Sequence, residues 1–160
     1  MTDHATAAAP DLRRHPPRRW NVTVDGVIWL PRMIDKARAY VAGTLGLYLY
    51  GQSPIDALVL RAARVDYAQF LAAVRTAADD GAVLAALERQ APGAIERLLC
   101  FSRRPPPGVR LWVHALDFDD GYVTLPGSSR WRAVSPLIFR PLATLLRRVF
   151  PLKPETEAGA

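Results

Sequence analysis

The sequence predicts a mainly α-helical protein, a compact bundle of short helices with room for one short β-hairpin. Apolar residues recur at three-and-four spacing in separate segments between residues 31 and 101, the period of helices that bury one face. Residues with N-terminal capping chemistry, Ser53, Asp66 and then Asp79 or Asp80, stand in front of three of these segments. Glycine and proline punctuate the gaps, at Gly43, Gly46, Pro92 and the run Pro105-Pro106-Pro107. Of the 160 residues, 50% are apolar and 22% charged, which is too apolar for a disordered chain and too charged for an integral membrane protein. A chain of this length typically buries ~70% of its unfolded surface in one domain.

Taken in order, residues 1–20 place Pro10, Asp11 and four arginines after a short alanine stub. They are expected to form a flexible basic arm, mobile or draped on the surface. Val22 to Leu30 surrounds an Asp25-Gly26 turn signal and reads as either a short hairpin or an irregular lead-in. A helix then opens at Pro31, with Met33, Ile34, Ala37, Tyr40 and Val41 on one face and an end near Gly43 or Gly46. Ser53-Pro54-Ile55-Asp56 starts a second helix that runs to Ala63. Asp66 starts a third with Tyr67, Phe70, Leu71 and Val74 inward, and a fourth carries Val83, Leu84 and Leu87 up to Ala91-Pro92. A fifth, Ala94 to Phe101, presents Ile95, Leu98, Leu99 and Cys100, and the Cys100 thiol is expected to be buried and inert there.

The proline run stops this helical core. Val109 to Leu125 fits a hairpin, through alternating Val109, Leu111 and Val113 and an Asp119-Asp120-Gly121 turn, or a helix through Leu111, Trp112, Ala115 and Leu116. Leu142, Leu145, Leu146, Val149 and Phe150 predict an amphipathic terminal helix opening at Pro141. The organisation expected is an arm over residues 1–20, a helical domain over 21–127 and a basic carboxy-terminal segment over 128–160.

Charge is unevenly spread along these three parts. The arm carries +2, residues 21–100 hold eight groups of each sign, and residues 101–160 carry +4. Between Ser128 and Lys153 lie Arg130, Arg132, Arg140, Arg147, Arg148 and Lys153 with no acid, a basic surface that attracts phosphate on nucleic acid or anionic lipid. No apolar run is long enough to span a membrane, and no basic start leads into an apolar secretion core, so the cytoplasm is the expected compartment.

Several chemistries are excluded. A lone cysteine allows neither an internal disulfide nor a four-cysteine zinc site. The glycines at Gly46 and Gly51 have phosphate-loop spacing, but Gln52 stands where lysine is required. Asp117, Asp119 and Asp120 read as a turn, because Gly121 takes a ligand position of a calcium loop and no glutamate follows at the right distance. His4, His15 and His114 are isolated. No cofactor and no metal is expected.

What stands out is the polar side of the first helix. Arg32, Asp35, Lys36 and Arg38 put three cations and one acid within two turns. Arg32 and Lys36 repel at four-residue spacing and oppose the helix dipole, while Asp35 can pair with Arg32 or Arg38. A local rule broken in this way marks a candidate ligand-binding face for an anion or carboxylate. The plainer alternative is a solvated face with an ordinary ion pair.

From Leu30-Pro31-Arg32-Met33-Ile34-Asp35-Lys36-Ala37-Arg38-Ala39 through Ala42-Gly43-Thr44-Leu45-Gly46 to Tyr48 and Tyr50, the chain resembles a bacterial family, domain of unknown function 5069. Asp11-Leu12, Pro16-Pro17-Arg18 and Ser53-Pro54-Ile55-Asp56 are similar to its flanking landmarks, and Trp112 to Gly121 to a late segment of some members, which favours helix there. Leu47 and Ser53 replace a glutamate and a cysteine common in that family. The resemblance implies a small, mostly helical protein and no particular activity. The leading expectation is a non-catalytic binding or interaction module for an anionic small molecule or protein partner. The alternatives are a transferase or hydrolase using Asp25, Tyr48 or His114 on an anionic substrate, and a membrane or nucleic-acid binder acting through the basic tail.

Overall fold

The computed structural model describes residues 9–106, 108–122, 137 and 141. The chain enters through a two-stranded antiparallel hairpin, β1 (Thr23–Val24) and β2 (Val27–Ile28), with Val24 opposite Val27. Asp25 and Gly26 both take positive φ, 47° and 80°, the conformation of a two-residue turn that matches strand twist. The edge of β2 is satisfied by α5, whose Ser102 hydroxyl accepts the Ile28 N–H at 3.1 Å.

Among the described residues up to 122, six helices follow: α1 (Leu30–Val41), α2 (Pro54–Ala63), α3 (Tyr67–Thr76), α4 (Asp80–Gln90), α5 (Ala94–Arg103) and α6 (Val109–Asp119). The protein is therefore mainly α with one short hairpin. The capping residues do what their chemistry implies. Ser53 caps α2, Asp66 and Gln69 form a reciprocal capping box on α3, and Asp79 caps α4. At the end of α1, Gly43 (φ 69°) turns the chain so that its N–H reaches the Tyr40 carbonyl and the Thr44 N–H reaches Ala39. Arg97 closes the other ends by donating to the carbonyls of Ala62, Ala63, Ala91 and Pro92.

α1 is the axis of the fold. It packs on α3 and on β1, while α2 lies on α5 and α3 on α4. Met33, Ile34 and Ala37 are sealed in the core with Phe70, Leu84 and Leu98. Residues 9–20 lie against the body. Leu12 and Pro17 are buried, the Leu12 N–H donates to Thr44 at 3.0 Å, and the Thr44 hydroxyl reaches Pro10 at 2.9 Å. This segment crosses Gly46 so closely that a Cβ there would meet the Leu12 carbonyl oxygen at 3.0 Å.

Residues 109–119 take the helical alternative, the one the resemblance favours, and Val109, Val113 and Asp117 at four-residue spacing share one buried stripe. The turn read into the acid cluster is confined to its end, where Gly121 (φ 80°) lets the Tyr122 N–H return to the Asp117 carbonyl at 2.9 Å. Asp117 itself is helical and 1% exposed.

Cys100 is exposed, not buried. Ala94 and Leu98 set the inward face of α5, and two residues past Leu98 the helix has rotated by roughly 200°. Maleimide labelling of the native protein is therefore expected at close to the rate of the unfolded chain. Strong native protection would return the thiol to the core.

Leu137 and Pro141 are helical and exposed. The rest of the expected terminal helix, with Arg130, Arg132, Arg140, Arg147, Arg148 and Lys153, lies outside the described residues.

Candidate functional site

α1 is buried on both its apolar and its polar side. Arg32 and Lys36 are each 3% exposed, and Asp35 is buried with them. Isolated charges at such depth would cost several kcal/mol each, so each must meet a counter-charge. The counter-charges come from distant segments that converge on α1.

Asp35 pairs with neither Arg32 nor Arg38, contrary to the local expectation. Its carboxylate accepts the Arg18 backbone N–H at 2.8 Å and the Arg18 guanidinium at 2.8 and 3.0 Å. The same guanidinium continues to Asp80 at the start of α4 and to the Pro31 carbonyl at 3.1 Å. Arg38 also reaches Asp80, at 3.0 Å. Asp80, read as a possible cap, thus leaves capping to Asp79 and joins the arm to α1.

Lys36 meets Asp56 from the first turn of α2, with both side chains sealed from water. The second Asp56 oxygen accepts the Trp29 indole N–H at 2.8 Å. Burial pushes the Lys36 ammonium below its ordinary pKa, the Asp56 carboxylate opposes this, and the nearby Arg32 adds to it. Trp29 precedes α1 with φ 67°, a left-handed conformation unusual for a bulky residue. Its backbone N–H is tied to Trp20 at 2.9 Å and its ring to Asp56, and strain of this kind persists only where the surroundings over-determine it.

Arg32 lies between two rings, 5.4 Å from the centroid of Trp29 and 5.7 Å from that of Tyr48, a cation–π sandwich. Its guanidinium pairs with Asp120 at 2.7 Å, and the Tyr48 hydroxyl donates to the other Asp120 oxygen at 2.8 Å. Burial first, and then the Asp120 charge, pushes the Tyr48 hydroxyl far above its ordinary pKa, so it remains a donor at neutral pH. Among the described residues, Arg32 Nε, Arg38 Nη2 and Asp120 Oδ2 are buried with no hydrogen-bond partner, so Arg32 meets Asp120 as an ion pair while its Nη1 donates to the Pro17 and Arg18 carbonyls. One helical turn back, Asp117 accepts Arg19 at 2.7 Å and the Trp20 indole at 2.9 Å. The Tyr122 hydroxyl ties the end of this segment to the Pro17 carbonyl at 2.8 Å.

The four expected residues therefore gather at one buried lattice and do not form a solvated face. Each of the three cations already faces an aspartate. The aspartates that complete the lattice, Asp56, Asp80 and Asp120, are absent from the candidate set, as are Arg18 and Trp29. Asp56 carries every sign of an ordinary first-turn acid, and no local pattern separates that role from a buried counter-ion. Asp25 sits in the hairpin turn and His114 on α6. A groove of ≈ 730 Å³ lined by Glu88, Ile95, Glu96, Cys100, Arg103 and Arg104 lies on α4 and α5, apart from the lattice. Of its two acids, Glu88 is engaged, since it accepts the backbone N–H groups of Gly93 and Ile95, which hold its carboxyl below the usual range.

A family profile described as domain of unknown function (DUF5069) matches residues 14–98. No curated protein matches the chain. The matched span holds Arg18, Arg32, Asp35, Lys36, Arg38, Tyr48, Asp56 and Asp80, and it ends before Asp117 and Asp120.

Proposed function

The chain belongs to the DUF5069 family, and from that premise we propose that it is a non-catalytic binding module whose ligand presents a carboxylate to Arg32 and Tyr48. One observation carries this reading. The seat is built from residues of the family-matched segment, yet the carboxylate held in it, that of Asp120, comes from beyond that segment. A guanidinium beside a protonated phenol suits a carboxylate, the phenol donating to one oxygen and the guanidinium charge lying 2.7 Å from the other. The flanking Trp29 and Tyr48 rings hold the guanidinium flat and exclude water, which strengthens the interaction.

The ligand is a small carboxylate or an acidic side chain of a partner protein. We place the protein in the bacterial cytoplasm, a reading supported by its single exposed thiol, which a reducing compartment keeps free. No described helix is long and apolar enough to cross a membrane.

Asp120→Ala in the full chain empties the seat and tests the reading. Sodium acetate is expected to raise the melting temperature of this variant saturably, by several degrees more than sodium chloride at equal ionic strength. The added Arg32→Gln change is expected to abolish the effect. An equal response to both salts, or one that survives Arg32→Gln, would remove the carboxylate seat.

A further inference from the structure

We propose that the body of this protein is a receptor for an acidic amphipathic helix, and that α6 is a copy of that helix held in the chain's own site. The inference rests on the carboxylate-seat reading and adds to it the class of partner and the means of regulation.

α6 is recognised in two parts along one stripe. Val109 and Val113, four residues apart, face the body, where a cavity of ≈ 180 Å³ is lined by them together with Trp20, Ile28, Trp29 and Phe101. Asp117, four residues further on, continues the stripe as a carboxylate and is received by Arg19 and the Trp20 indole. Asp120 follows after three more residues and enters the seat of Arg32 and Tyr48. The recognised pattern is two apolar residues four apart, followed by carboxylates four and seven residues beyond the second. Every polar group on the receiving side, Arg19, Trp20, Arg32 and Tyr48, lies within residues 14–98, and both carboxylates lie outside. The named polar groups of the receptor lie inside the matched span and the two carboxylates beyond its end, while Phe101 of the apolar lining lies just past it.

Two features make α6 replaceable. Among the described residues of its outer side, Trp112 is 65% exposed and Ala115 is exposed. At the cavity α6 presents the short side chains of Val109 and Val113, with Leu116 partly buried against the core, and a helix with larger apolar residues at the cavity would bury more surface. A partner helix with the same carboxylate spacing would then take the seat at the expense of α6, which acts as a competing ligand at high effective concentration.

The test uses a fluorescently labelled synthetic peptide spanning residues 105–122 and two full-length proteins, wild type and Asp117→Asn/Asp120→Asn. Anisotropy is expected to show the double variant binding the peptide at least tenfold more tightly than wild type, because its own α6 competes poorly. A peptide carrying both Asp→Asn changes is expected not to bind. Absence of saturable binding to either protein, or equal binding of the altered peptide, overturns the proposal. Hydrogen exchange on wild type keeps it testable should the double variant not fold. Amides of α6 are expected to exchange through an opening at least tenfold more populated than the one that exposes α1, and equal openings would make α6 an integral part of the core. Acetate rescue of Asp120→Ala without peptide binding would leave the carboxylate seat standing and remove only the helix receptor. Failure of both would remove both.

Discussion

Asp56→Ala is expected to destabilise the protein by about 3–5 kcal/mol, the range for breaking a buried ion pair, which is a large share of a typical domain's 5–15 kcal/mol. The substitution leaves the Lys36 ammonium buried without its counter-ion and takes away the acceptor of the Trp29 indole N–H. Trp29 would lose one of the two ties that hold its left-handed backbone. Lys36→Met with Asp56→Asn removes the charges together and keeps an acceptor for the indole. That double variant is expected to recover most of the loss, because a buried pair is worth little against an uncharged replacement of similar volume. Urea unfolding of the three proteins decides it. A loss for Asp56→Ala within the ~0–1 kcal/mol of an exposed pair would mean that water reaches the ammonium.

Stability is also expected to fall steeply above pH 10.5. Burial first, with Asp120 or Asp56 adding to it, pushes the hydroxyls of Tyr48, Tyr50 and Tyr67 well above their ordinary pKa of 10.0. Each hydroxyl donates to an acceptor that a phenolate would repel: Asp120 for Tyr48, the Tyr67 carbonyl for Tyr50 and the Ser53 carbonyl for Tyr67. A folded pKa raised above the unfolded one gives stability that is complete below pH 10.0 and is lost as the pH climbs toward the folded values. Three protons released only by the unfolded chain set an upper bound of roughly 4 kcal/mol per pH unit, which solvent screening at the less buried Tyr67 lowers. Lys36 acts in the opposite sense, since its folded pKa lies below 10.5. Its contribution rises with pH up to 10.5 and is flat beyond, so the window above 10.5 isolates the tyrosines. Denaturant midpoints between pH 10.5 and 12 test this, and Tyr50→Phe and Tyr67→Phe should each flatten the slope by about one third. Native tyrosinate absorbance near pH 10 equivalent to more than two of the five tyrosines would contradict it.

Much of the helical framework was readable from the sequence because its signals are local. The span Pro54–Ala63 follows from a serine cap and a proline at the first helical position. The Asp66–Gln69 capping box and the Asp79 cap act within one turn, and Gly43 ends α1 through a conformation that glycine alone adopts freely. Cys100 escaped because an apolar neighbourhood in sequence is not a face. The inward direction of α5 is set by Ala94 and Leu98, and a residue two positions away cannot share it. For residues 109–119 both periods fitted, and the buried stripe of Val109, Val113 and Asp117 exists only because the body lies against it.

The charges of α1 show where local reading ends. The sequence alone determined that Arg32, Asp35, Lys36 and Arg38 crowd one side of a helix against its dipole, an arrangement that calls for compensation. Only the tertiary structure decided what compensates. Arg18 lies 17 residues from Asp35, Asp56 lies 20 from Lys36, and Asp117 lies 98 from Arg19. An aspartate has the same local pattern whether it caps a helix in water or is sealed against a lysine. Its role depends on dielectric surroundings, and these exist only once the arm, α2 and α6 have closed over α1.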